Sequence, residues 1–281
     1  MKILITGITG SLGSEVCRFL LAKTKHDIIG YSRDEQKQRL VNYGPRVTMI
    51  LGDIRDKDRF LESSRGVDLI FHFAALKCVD SLEENPEESI ATNIVGTQNI
   101  LYAQRIHKIP RVVLTSTDKA AYPVNVYGMC KAISERLVLR NTNNVVCRYG
   151  NVLASRGSVV PQFVQSIKEK GVINITDAAM TRFWITLPDA AKFVIKSAFS
   201  ASGGLKIPKM KSYPVIDLGF TVARMLDTKA EINMIGVRPG EKIHETLKTE
   251  EEGEWITSED NKYSEEELIK TLSLIVHGPH K

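Results

Sequence analysis

The 281-residue sequence predicts an α/β fold with a doubly wound parallel sheet. Two observations predict it. Short apolar segments alternate with longer amphipathic segments through the first half of the chain, which indicates strands joined by crossover helices. The first apolar segment also leads at once into a glycine-rich turn and a helical pattern, an order common in such sheets. Strands are predicted near residues 2–6, 27–31, 47–51, 68–72, 111–115 and 144–148, and the clearest helices over residues 93–106 and 127–140.

The first strand leads into a glycine fingerprint. Glycines at positions 7, 10 and 13 form a Gly-x-x-Gly-x-x-Gly pattern directly before the first helix. This spacing lets the backbone approach a pyrophosphate at a helix N-terminus, as in the dinucleotide-binding Rossmann fold. An ordinary tight turn would also use glycine, but the strand, turn and helix together favour a cofactor. The residues predicted to line the pyrophosphate are Gly7, Thr9, Gly10, Ser11, Leu12 and Gly13.

The second strand ends in a segment that favours NADP over NAD. An NAD enzyme commonly places an acidic residue here to bind the ribose 2′-hydroxyl. This chain instead has Ser32 and Arg33, with Lys37 close behind. A hydroxyl and two cations suit a 2′-phosphate better. The alternative is that Arg33 and Lys37 are ordinary solvated charges, because Asp34 and Glu35 lie beside them.

The third and fourth strands add further cofactor positions. Asp53 follows the third strand, where it could accept from the adenine amine or cap the next helix. His72 lies in an apolar strand and is predicted to be a core histidine with its hydrogen bonds satisfied. Lys77, after that strand, could face cofactor and substrate or be a surface lysine. The remaining residues predicted to contact the cofactor are Ile54, Ala74, Ala75, Lys77 and Asn93.

The catalytic chemistry is predicted after the fifth strand. Tyr127 and Lys131 stand four residues apart on a predicted helix, so the phenol and the ammonium share one face. The ammonium favours the phenolate, which makes Tyr127 a base for oxidising an alcohol beside a nicotinamide. Before this pair, Thr117-Asp118-Lys119 adds a hydroxyl, a second acid and a second base. A plain ion pair is the alternative for Asp118 and Lys119.

The second half of the chain predicts a smaller C-terminal substrate-binding cap, because its pattern becomes irregular after about residue 151. We divide the chain into an NADP-binding Rossmann domain, residues 1–150, and the cap, residues 151–281, interleaved with the first domain. Phe183 and Trp184 are predicted to be core residues. The segments predicted to be irregular are a turn at 155–158, a solvated acidic loop at 250–254 and a frayed tail at 277–281.

Composition and charge exclude several classes of function. The net charge is +5, and Lys and Arg are scattered rather than striped, so nucleic acid is not predicted as a partner. An anionic nucleotide-linked substrate fits this basic balance. No apolar run reaches the length of a membrane span, and no signal peptide precedes the first strand. The four cysteines show no metal-ligand spacing, so we expect no metal and a cytoplasmic location.

Several stretches carry a resemblance that covers nearly the whole chain; they are residues 32–38, 71–77, 116–120, 148–152, 155–161 and 180–184. On them the sequence resembles the extended short-chain dehydrogenase/reductases and, within these, the inverting UDP-N-acetylglucosamine 4,6-dehydratases. Thr117-Asp118-Lys119 is the most specific stretch, since retaining sugar 4,6-dehydratases carry Thr-Asp-Glu there. The sequence departs from the family pattern at Cys78, at Asp80 and at Ala121-Tyr122.

The resemblance implies a reaction that begins and ends with hydride transfer. Tyr127 removes the sugar O4 proton while hydride passes from C4 to NADP, and Lys131 lowers the Tyr127 pKa and binds the nicotinamide ribose. Thr117 hydrogen-bonds O4. Lys119 or another nearby base takes the C5 proton, and Asp118 protonates the departing 6-hydroxyl. Hydride returns to C6 and a proton returns to the opposite face of C5.

The resemblance also implies a product, partners and competing functions. The product would be a UDP-4-keto-6-deoxy-hexosamine for surface polysaccharide or glycan biosynthesis, made by a homo-oligomer. A UDP-sugar epimerase or 4-ketoreductase of the same fold is the alternative enzyme, and a silent cofactor-binding sensor is a third possibility. Intact Tyr127 and Lys131 argue against the sensor, and Asp118 with Lys119 argues against simple epimerisation. The residues expected to bind the nucleotide sugar are Lys77, Asn151, Arg182, Arg238 and Glu241.

Overall fold

A computed structural model describes residues 1–153, 158–260 and 263–276 of the chain. The predicted turn at 155–158 lies outside the described residues except for its last position. The predicted tail at 277–281 lies outside them entirely.

The chain divides into two compact units. The first comprises Met1–Arg148 and Pro188–Pro208, and the second comprises Tyr149–Leu187 and Lys209–Lys281. The first boundary lies two residues before the predicted residue 150, and the interleaved segment, which the prediction did not bound, is residues 188–208. That the second unit binds substrate stays a prediction.

The strands of both units are short, as is usual in α/β proteins. In chain order they are β1 (Lys2–Thr6), β2 (Asp27–Ser32), β3 (Val47–Leu51), β4 (Leu69–His72), β5 (Arg111–Thr117), β6 (Val145–Tyr149), β7 (Asn151–Val152), β8 (Val172–Ile175), β9 (Thr181–Ile185), β10 (Gly204–Lys206), β11 (Lys211–Pro214), β12 (Glu231–Met234), β13 (Thr246–Lys248) and β14 (Ile256–Thr257).

The helices alternate with these strands. In chain order they are α1 (Ser11–Lys23), α2 (Glu35–Arg39), α3 (Lys57–Ser63), α4 (Val79–Glu84), α5 (Pro86–Ser89), α6 (Gly96–His107), α7 (Val126–Leu139), α8 (Val159–Lys170), α9 (Leu187–Ala198), α10 (Val215–Met225) and α11 (Glu265–Val276). A π-helical turn, Ile90–Val95, joins α5 to α6. The segment predicted as a solvated acidic loop begins instead with a short 3₁₀ helix, Glu250–Glu252, closed by a capping box from Thr249.

The first unit is built on a seven-stranded sheet with the order β3-β2-β1-β4-β5-β6-β10. The β1–β2, β2–β3, β1–β4, β4–β5 and β6–β10 pairs are parallel. The chain winds outward from β1 in one direction and then from β4 in the other, so the predicted doubly wound α/β class is confirmed. Ligands bind such sheets where the strand order reverses, which here is the carboxyl edge of β1 and β4.

A buried amide joins three elements at the opposite end of the sheet, where β5 and β6 begin. Asn144 is fully buried, and its Oδ1 accepts from Gln104 Nε2 at 2.7 Å and from the Val112 backbone N–H at 2.9 Å. Its Nδ2 donates to Gln104 Oε1 at 3.0 Å and to the Val138 carbonyl at 3.2 Å. Every polar site on the amide is paired, so α6, β5 and α7 are joined in the core without an unsatisfied group.

The second unit has its own core and smaller sheets. Strand β9 pairs with β7 in parallel and with β11 in an antiparallel ladder. Two-stranded ladders join β8 to β12 and β13 to β14. Phe183 and Trp184 of β9 are buried, which confirms the prediction that they are core residues. Helices α8, α10 and α11 contribute apolar residues to the same core as Trp184.

Candidate active site

The glycine fingerprint is packed too closely for side chains. Gly7 has a φ of +68°, and a β-carbon there would lie 2.8 Å from the Ala74 backbone nitrogen. A β-carbon on Gly13 would lie 2.4 Å from the Gly7 carbonyl oxygen. Gly10, the N-cap of α1, is different, because its β-carbon would meet only the Gly7 oxygen, at 3.0 Å, and otherwise open space. The arrangement fits a pyrophosphate resting on the start of α1.

A buried relay of hydrogen bonds locks the strand ends on either side of this turn. His72 Nδ1 lies 2.9 Å from Thr6 Oγ1, and His72 Nε2 lies 3.1 Å from Thr97 Oγ1. Thr97 donates its only hydroxyl proton to the Asn93 carbonyl at 2.7 Å. It must therefore accept from His72, which carries its proton on Nε2, and Thr6 must donate to Nδ1.

The relay requires a neutral imidazole. Thr6 Oγ1 already accepts from the backbone N–H groups of Phe73 and Ala74, at 3.1 and 3.2 Å. A second ring proton would put a donor on Nδ1, facing the hydroxyl that donates to it. Burial, assisted by the positive charge of Lys131, lowers the pKa of His72 to about 3. The prediction of a satisfied core histidine is confirmed.

Asn93 closes the loop that follows β4. Its Oδ1 accepts from the Leu76 N–H and its Nδ2 donates to the Leu76 carbonyl, both at 2.9 Å. Its buried amide thus holds the loop that contains Ala74 and Ala75, and the expected contact of Asn93 with the cofactor stays a prediction. Lys77 follows this loop with an exposed side chain. Asn93 lies in the π-helical turn, and because the wider turn shifts the positions of side chains along the helix, its amide faces Leu76.

The end of β2 presents one loosely held cation. Lys37 pairs with Asp34, which also caps α2 by accepting from the Lys37 N–H at 2.9 Å. The Ser32 hydroxyl accepts from Gln38 at 2.9 Å. Arg33 is half exposed, and among the residues that the structure describes its guanidinium pairs with Asp53 alone, at 3.6 Å.

Asp53 is engaged by arginine rather than by a helix. Its carboxylate accepts from Arg55 Nε at 3.0 Å and Nη2 at 2.8 Å. Desolvation raises the pKa of Asp53, but the hydrogen bonds and charge of Arg55, together with the charge of Arg33, outweigh it. The pKa of Asp53 is therefore lowered. The alternative that Asp53 caps the next helix is wrong, because Asp56 caps α3 by accepting from the Arg59 N–H.

The hydroxyl, acid and amine predicted after β5 form one cluster. Thr117 Oγ1 donates to Asp118 Oδ1 at 2.9 Å, and Lys119 Nζ donates to the same oxygen at 3.1 Å. Asp118 is fully buried and Lys119 is mostly buried. A β-carbon on Gly128 would lie 2.2 Å from the Lys119 carbonyl oxygen, so the first turn of α7 lies directly against the cluster. Lys119, Asp118 and Thr117 all act on the pKa of the Tyr127 phenol, so Tyr127 lies beside this cluster.

The charges around Tyr127 differ from the prediction. Burial raises the pKa of Tyr127 to about 12, and Asp118 adds to the rise. The cation that most opposes this shift is Lys119, not Lys131 as predicted. Burial also lowers the pKa of Lys131 to about 8, against the pull of Glu135. Glu135, the carboxylate that stabilises the Lys131 charge, therefore lies one helical turn beyond Lys131, on the side away from Tyr127.

Lys131 is a buried cation near the catalytic cluster. It is 4% exposed, and its ammonium makes no hydrogen bond or ion pair with any residue in the described ranges. A buried charged donor of this kind is costly unless something accepts its protons. Ribose hydroxyls would supply such acceptors, so Lys131 together with the open face of Gly10 fits a dinucleotide.

The predicted nucleotide-sugar residues other than Lys77 lie in the second unit. Arg182 is largely buried, donates to the carbonyls of Thr181 and Ile243 at 2.7 and 3.0 Å, and lies 3.9 Å from Glu245. Arg238 is exposed and opens the turn that ends at Glu241.

The predicted Arg238-Pro239-Gly240-Glu241 turn is present. The Glu241 N–H donates to the Arg238 carbonyl at 3.1 Å, and Gly240 has a positive φ of 80°. Asn151 is half-buried in β7. Which of these side chains contact a substrate stays a prediction.

Residues that sequence reasoning missed support the predicted ones. Thr6 and Thr97 complete the His72 relay, and Glu135 and Arg148 form a buried ion pair beside Lys131. Helical spacing could have indicated Glu135, since it follows Lys131 by four residues. Its partner on β6 could not be read from spacing.

The described residues form neither a metal-ligand group nor a membrane-spanning helix. No group of His, Cys, Asp and Glu side chains among them could hold a metal ion. Of the helices in the same ranges, none combines the length and apolarity needed to cross a membrane.

The fold and the Tyr127–Lys131 face define an extended short-chain dehydrogenase/reductase. More narrowly, the chain belongs to the family described as polysaccharide biosynthesis protein, which matches residues 3–267. The predicted resemblance is confirmed by a Campylobacter jejuni relative named UDP-N-acetylglucosamine 4,6-dehydratase (inverting). It is 41% identical over 284 residues, covering 96% of this chain and 84% of the relative.

Two further relatives widen the comparison. A Rickettsia bellii protein named UDP-glucose 4-epimerase is 39% identical over 266 residues, covering 89% of this chain and 78% of that protein. The X-ray structure of Pen from Bacillus thuringiensis has a TM-score of 0.91 and 32% identity, covering 96% of both chains. The relatives therefore include both dehydratases and epimerases by name.

The neutral His72 predicts a specific acid sensitivity. The unfolded chain binds a proton at His72 near its ordinary pKa of 6.5, whereas the folded chain does so only near 3. The contribution of His72 to stability is complete above pH 6.5 and is lost as the pH falls toward 3. Between about pH 7 and pH 4.5 the wild type should lose ~2–3 kcal/mol more unfolding free energy than His72→Gln does. Urea unfolding at both pH values measures this, and equal losses in the two proteins would contradict the neutral relay.

Proposed function

We propose that the protein is a nucleotide-sugar 4,6-dehydratase that acts on UDP-N-acetylglucosamine with inversion at C5. The observation that carries the proposal is the Thr117–Asp118–Lys119 cluster in contact with Tyr127. The cluster offers a second acid and a second base beside Tyr127, which takes the O4 proton as a nicotinamide oxidises the sugar. The 41% identical relative named as an inverting dehydratase supports the same substrate class.

The oxidation step uses the face of α7. When bound, a nicotinamide dinucleotide would accept hydride from sugar C4 and later return it to C6. Tyr127 takes the O4 proton as a phenolate, and its raised pKa keeps the phenol protonated until nearby positive charge lowers that pKa. Lys131 supplies that charge from the cofactor side and Lys119 from the substrate side. Thr117 has a single hydroxyl proton, which it gives to Asp118 now and can give to the phenolate once Tyr127 ionises.

The elimination step needs Asp118 as an acid and Lys119 as a base. The ion pair seen at 3.1 Å contains the same number of protons as a neutral carboxylic acid beside a neutral amine. Moving one proton along this hydrogen bond turns the first form into the second, and a dry site favours the form without charges. Lys119 then takes the C5 proton, and Asp118 protonates the leaving 6-hydroxyl. The ion pair and the catalytic pair are thus two states of one arrangement.

An epimerase is the second candidate, favoured by the 39% identical relative of that name. Inversion at C4 needs only oxidation, rotation of the ketone in the site and reduction. Tyr127 and Lys131 are sufficient for the proton transfer that these steps require. A buried acid–base pair one residue beyond Thr117 has no task in that reaction. Mass analysis of the product from UDP-N-acetylglucosamine separates the two, because dehydration removes one water and epimerisation removes nothing.

We infer NADP as the cofactor. Arg33 is half exposed at the end of β2, and its contact with Asp53 is long because Asp53 is bound mainly by Arg55. A 2′-phosphate offers Arg33 a stronger partner. Lys37 is less suited than predicted, since Asp34 holds it. The cytoplasmic location expected from the sequence stays a prediction.

We infer a homo-oligomer from an apolar face beside the catalytic helix. Ile90 and Val95 of the π-helical turn are 47% and 39% exposed, and Met129 and Ile133 of α7 are 47% and 46% exposed. Met129 and Ile133 are one helical turn apart, and α7 packs against the π-helical turn. A second copy of this chain, related by a two-fold axis, would present the same four side chains and cover them.

Replacing Asp118 and Lys119 should separate oxidation from loss of water. Lys119→Met and Asp118→Asn should each lower dehydration of UDP-N-acetylglucosamine by at least about 100-fold, the usual contribution of a general acid or base. Both should still form reduced nicotinamide in a single turnover, measured by its absorbance, although Lys119→Met should form it more slowly because Lys119 lowers the Tyr127 pKa. Asp118→Asn should also keep exchanging the C5 proton with heavy water, whereas Lys119→Met should not.

Tyr127→Phe is the matched control for that series, since it should block the absorbance change itself. Dehydration at the wild-type rate in both the Asp118 and Lys119 variants would show that the pair is structural.

Removing Arg33 should change cofactor choice. Arg33→Ala should weaken NADP binding about tenfold and NAD binding much less, because only NADP carries the 2′-phosphate. Calorimetric titration of both dinucleotides measures the ratio. Arg39→Ala, which removes an exposed arginine of α2 paired with Glu35, is the control and should leave the ratio alone. A preference for NAD in the wild type would refute the inference.

Charge on the apolar face should dissociate the oligomer. Met129→Glu with Ile133→Glu should give a monomer by light scattering, because buried carboxylates would face their own copies across the axis. Leu40→Glu alters an exposed leucine elsewhere on the first unit and should leave the mass unchanged. A wild-type monomer at micromolar concentration would show the inference to be wrong.

A further inference from the structure

Behind Lys131 lies a buried ion pair that the reaction does not use. Arg148 Nε donates to Glu135 Oε1 at 3.0 Å and Arg148 Nη2 donates to Glu135 Oε2 at 2.6 Å. Both side chains are about 5% exposed or less. Arg148 comes from β6, and Glu135 from α7. A fork-to-carboxylate pair of this kind fixes the carboxylate in position and direction.

Glu135 shares a helix face with the catalytic residues. Tyr127, Lys131 and Glu135 follow one another at intervals of four, so their side chains stack along one side of α7. At that spacing a lysine and a glutamate ordinarily form an ion pair. Here they do not, because both carboxylate oxygens of Glu135 accept from Arg148, and the Lys131 ammonium pairs with no residue of the described part of the chain.

We propose that Arg148 is a positioning residue, which withholds the Glu135 carboxylate from Lys131 and so leaves the Lys131 ammonium free for the ribose of a bound dinucleotide. The proposal rests on the cofactor-binding part of the proposed function. It does not depend on the sugar or on dehydration.

The surroundings of Lys131 show why the competition matters. Glu135 and the Cys130 thiol on α7 favour its positive charge, while His72 on β4 is neutral and bonded within its relay. Glu135 is thus the one carboxylate identified as acting on Lys131 in the described structure. Without Arg148, Glu135 would be a buried anion with no counter-ion, and the cation nearest to hand is the ammonium one turn earlier. Pairing the two would draw Lys131 back along the helix, away from Tyr127.

Binding of NADP⁺ and NAD⁺, measured by calorimetry, tests this without any turnover. R148M should weaken binding of the preferred dinucleotide by about tenfold, close to the effect of K131M, since both remove the same contact. In a K131M background, R148M should add less than about twofold, because the residue through which Arg148 acts is already gone. A merely structural role for Arg148 would cost the same in both backgrounds.

Rescue provides the second readout. E135L/R148M removes the competing carboxylate together with its arginine, and an apolar pair can replace a buried ion pair without loss of stability. This double variant should bind within about threefold of the wild type. Weakened binding that the Glu135 substitution does not restore, or an equal effect of R148M with and without Lys131, would overturn the proposal.

Two further comparisons keep the test decisive. Circular dichroism melting checks folding, and if R148M does not fold, R148K takes its place, since a lysine keeps the charge but not the fork. R148K should weaken dinucleotide binding about threefold in the wild-type background. In the K131M background it should, like R148M, add less than about twofold. A further outcome is that the variants show the expected changes in dinucleotide binding while the wild type dehydrates no UDP-sugar. That result would refute the proposed reaction and leave the role of Arg148 supported. A wild type that binds neither dinucleotide would refute both.

Discussion

The contact on which the first unit depends is the one between the turn after β1 and the loop after β4. Gly7 and Ala74 approach so closely that a β-carbon on Gly7 would lie 2.8 Å from a backbone nitrogen. The contact is possible because β1 and β4 are neighbours where the strand order reverses. It allows Thr6 to accept from two backbone N–H groups of the opposite loop, and the His72 relay then extends this lock to α6. The start of α1 is held open as a result.

Most of the first unit could be predicted because its information is local. The observed strands agree with the predicted ones to within two residues, since buried parallel strands are written as short apolar runs. The π-helical turn was not predicted, because its residues are ordinary helix formers and only the buried amide of Asn93 reveals the extra residue in the turn. The alternative in which Asp53 caps the next helix is wrong because Asp56 occupies that position, and the Asp53 carboxylate binds Arg55.

The candidate site could be predicted in its chemistry but not in its electrostatics. Thr117, Asp118, Lys119 and Tyr127 do come together, because one turn connects the end of β5 to α7. Which charge acts on which group could not be read from spacing. Burial outweighs charge at Tyr127, His72 and Lys131, and the cation that most lowers the pKa of the phenol comes from the turn after β5 rather than from α7. Desolvation depends on what covers a group, and the residues that do so are distant in sequence.

The return of residues 188–208 to the first unit has a consequence for synthesis on the ribosome. Strand β10 fills the edge of the sheet beside β6, and Arg111 at the start of β5 donates to the carbonyls of Ala198 and Ser200 at 2.8 and 2.7 Å. Neither contact can form until that later segment has left the exit tunnel. The β6 edge of the nascent sheet therefore stays open while the 54 residues between Tyr149 and Gly204 emerge. During this interval the unpaired β6 edge is the kind of surface that chaperones bind. A truncation before residue 204 would leave this edge open to aggregation.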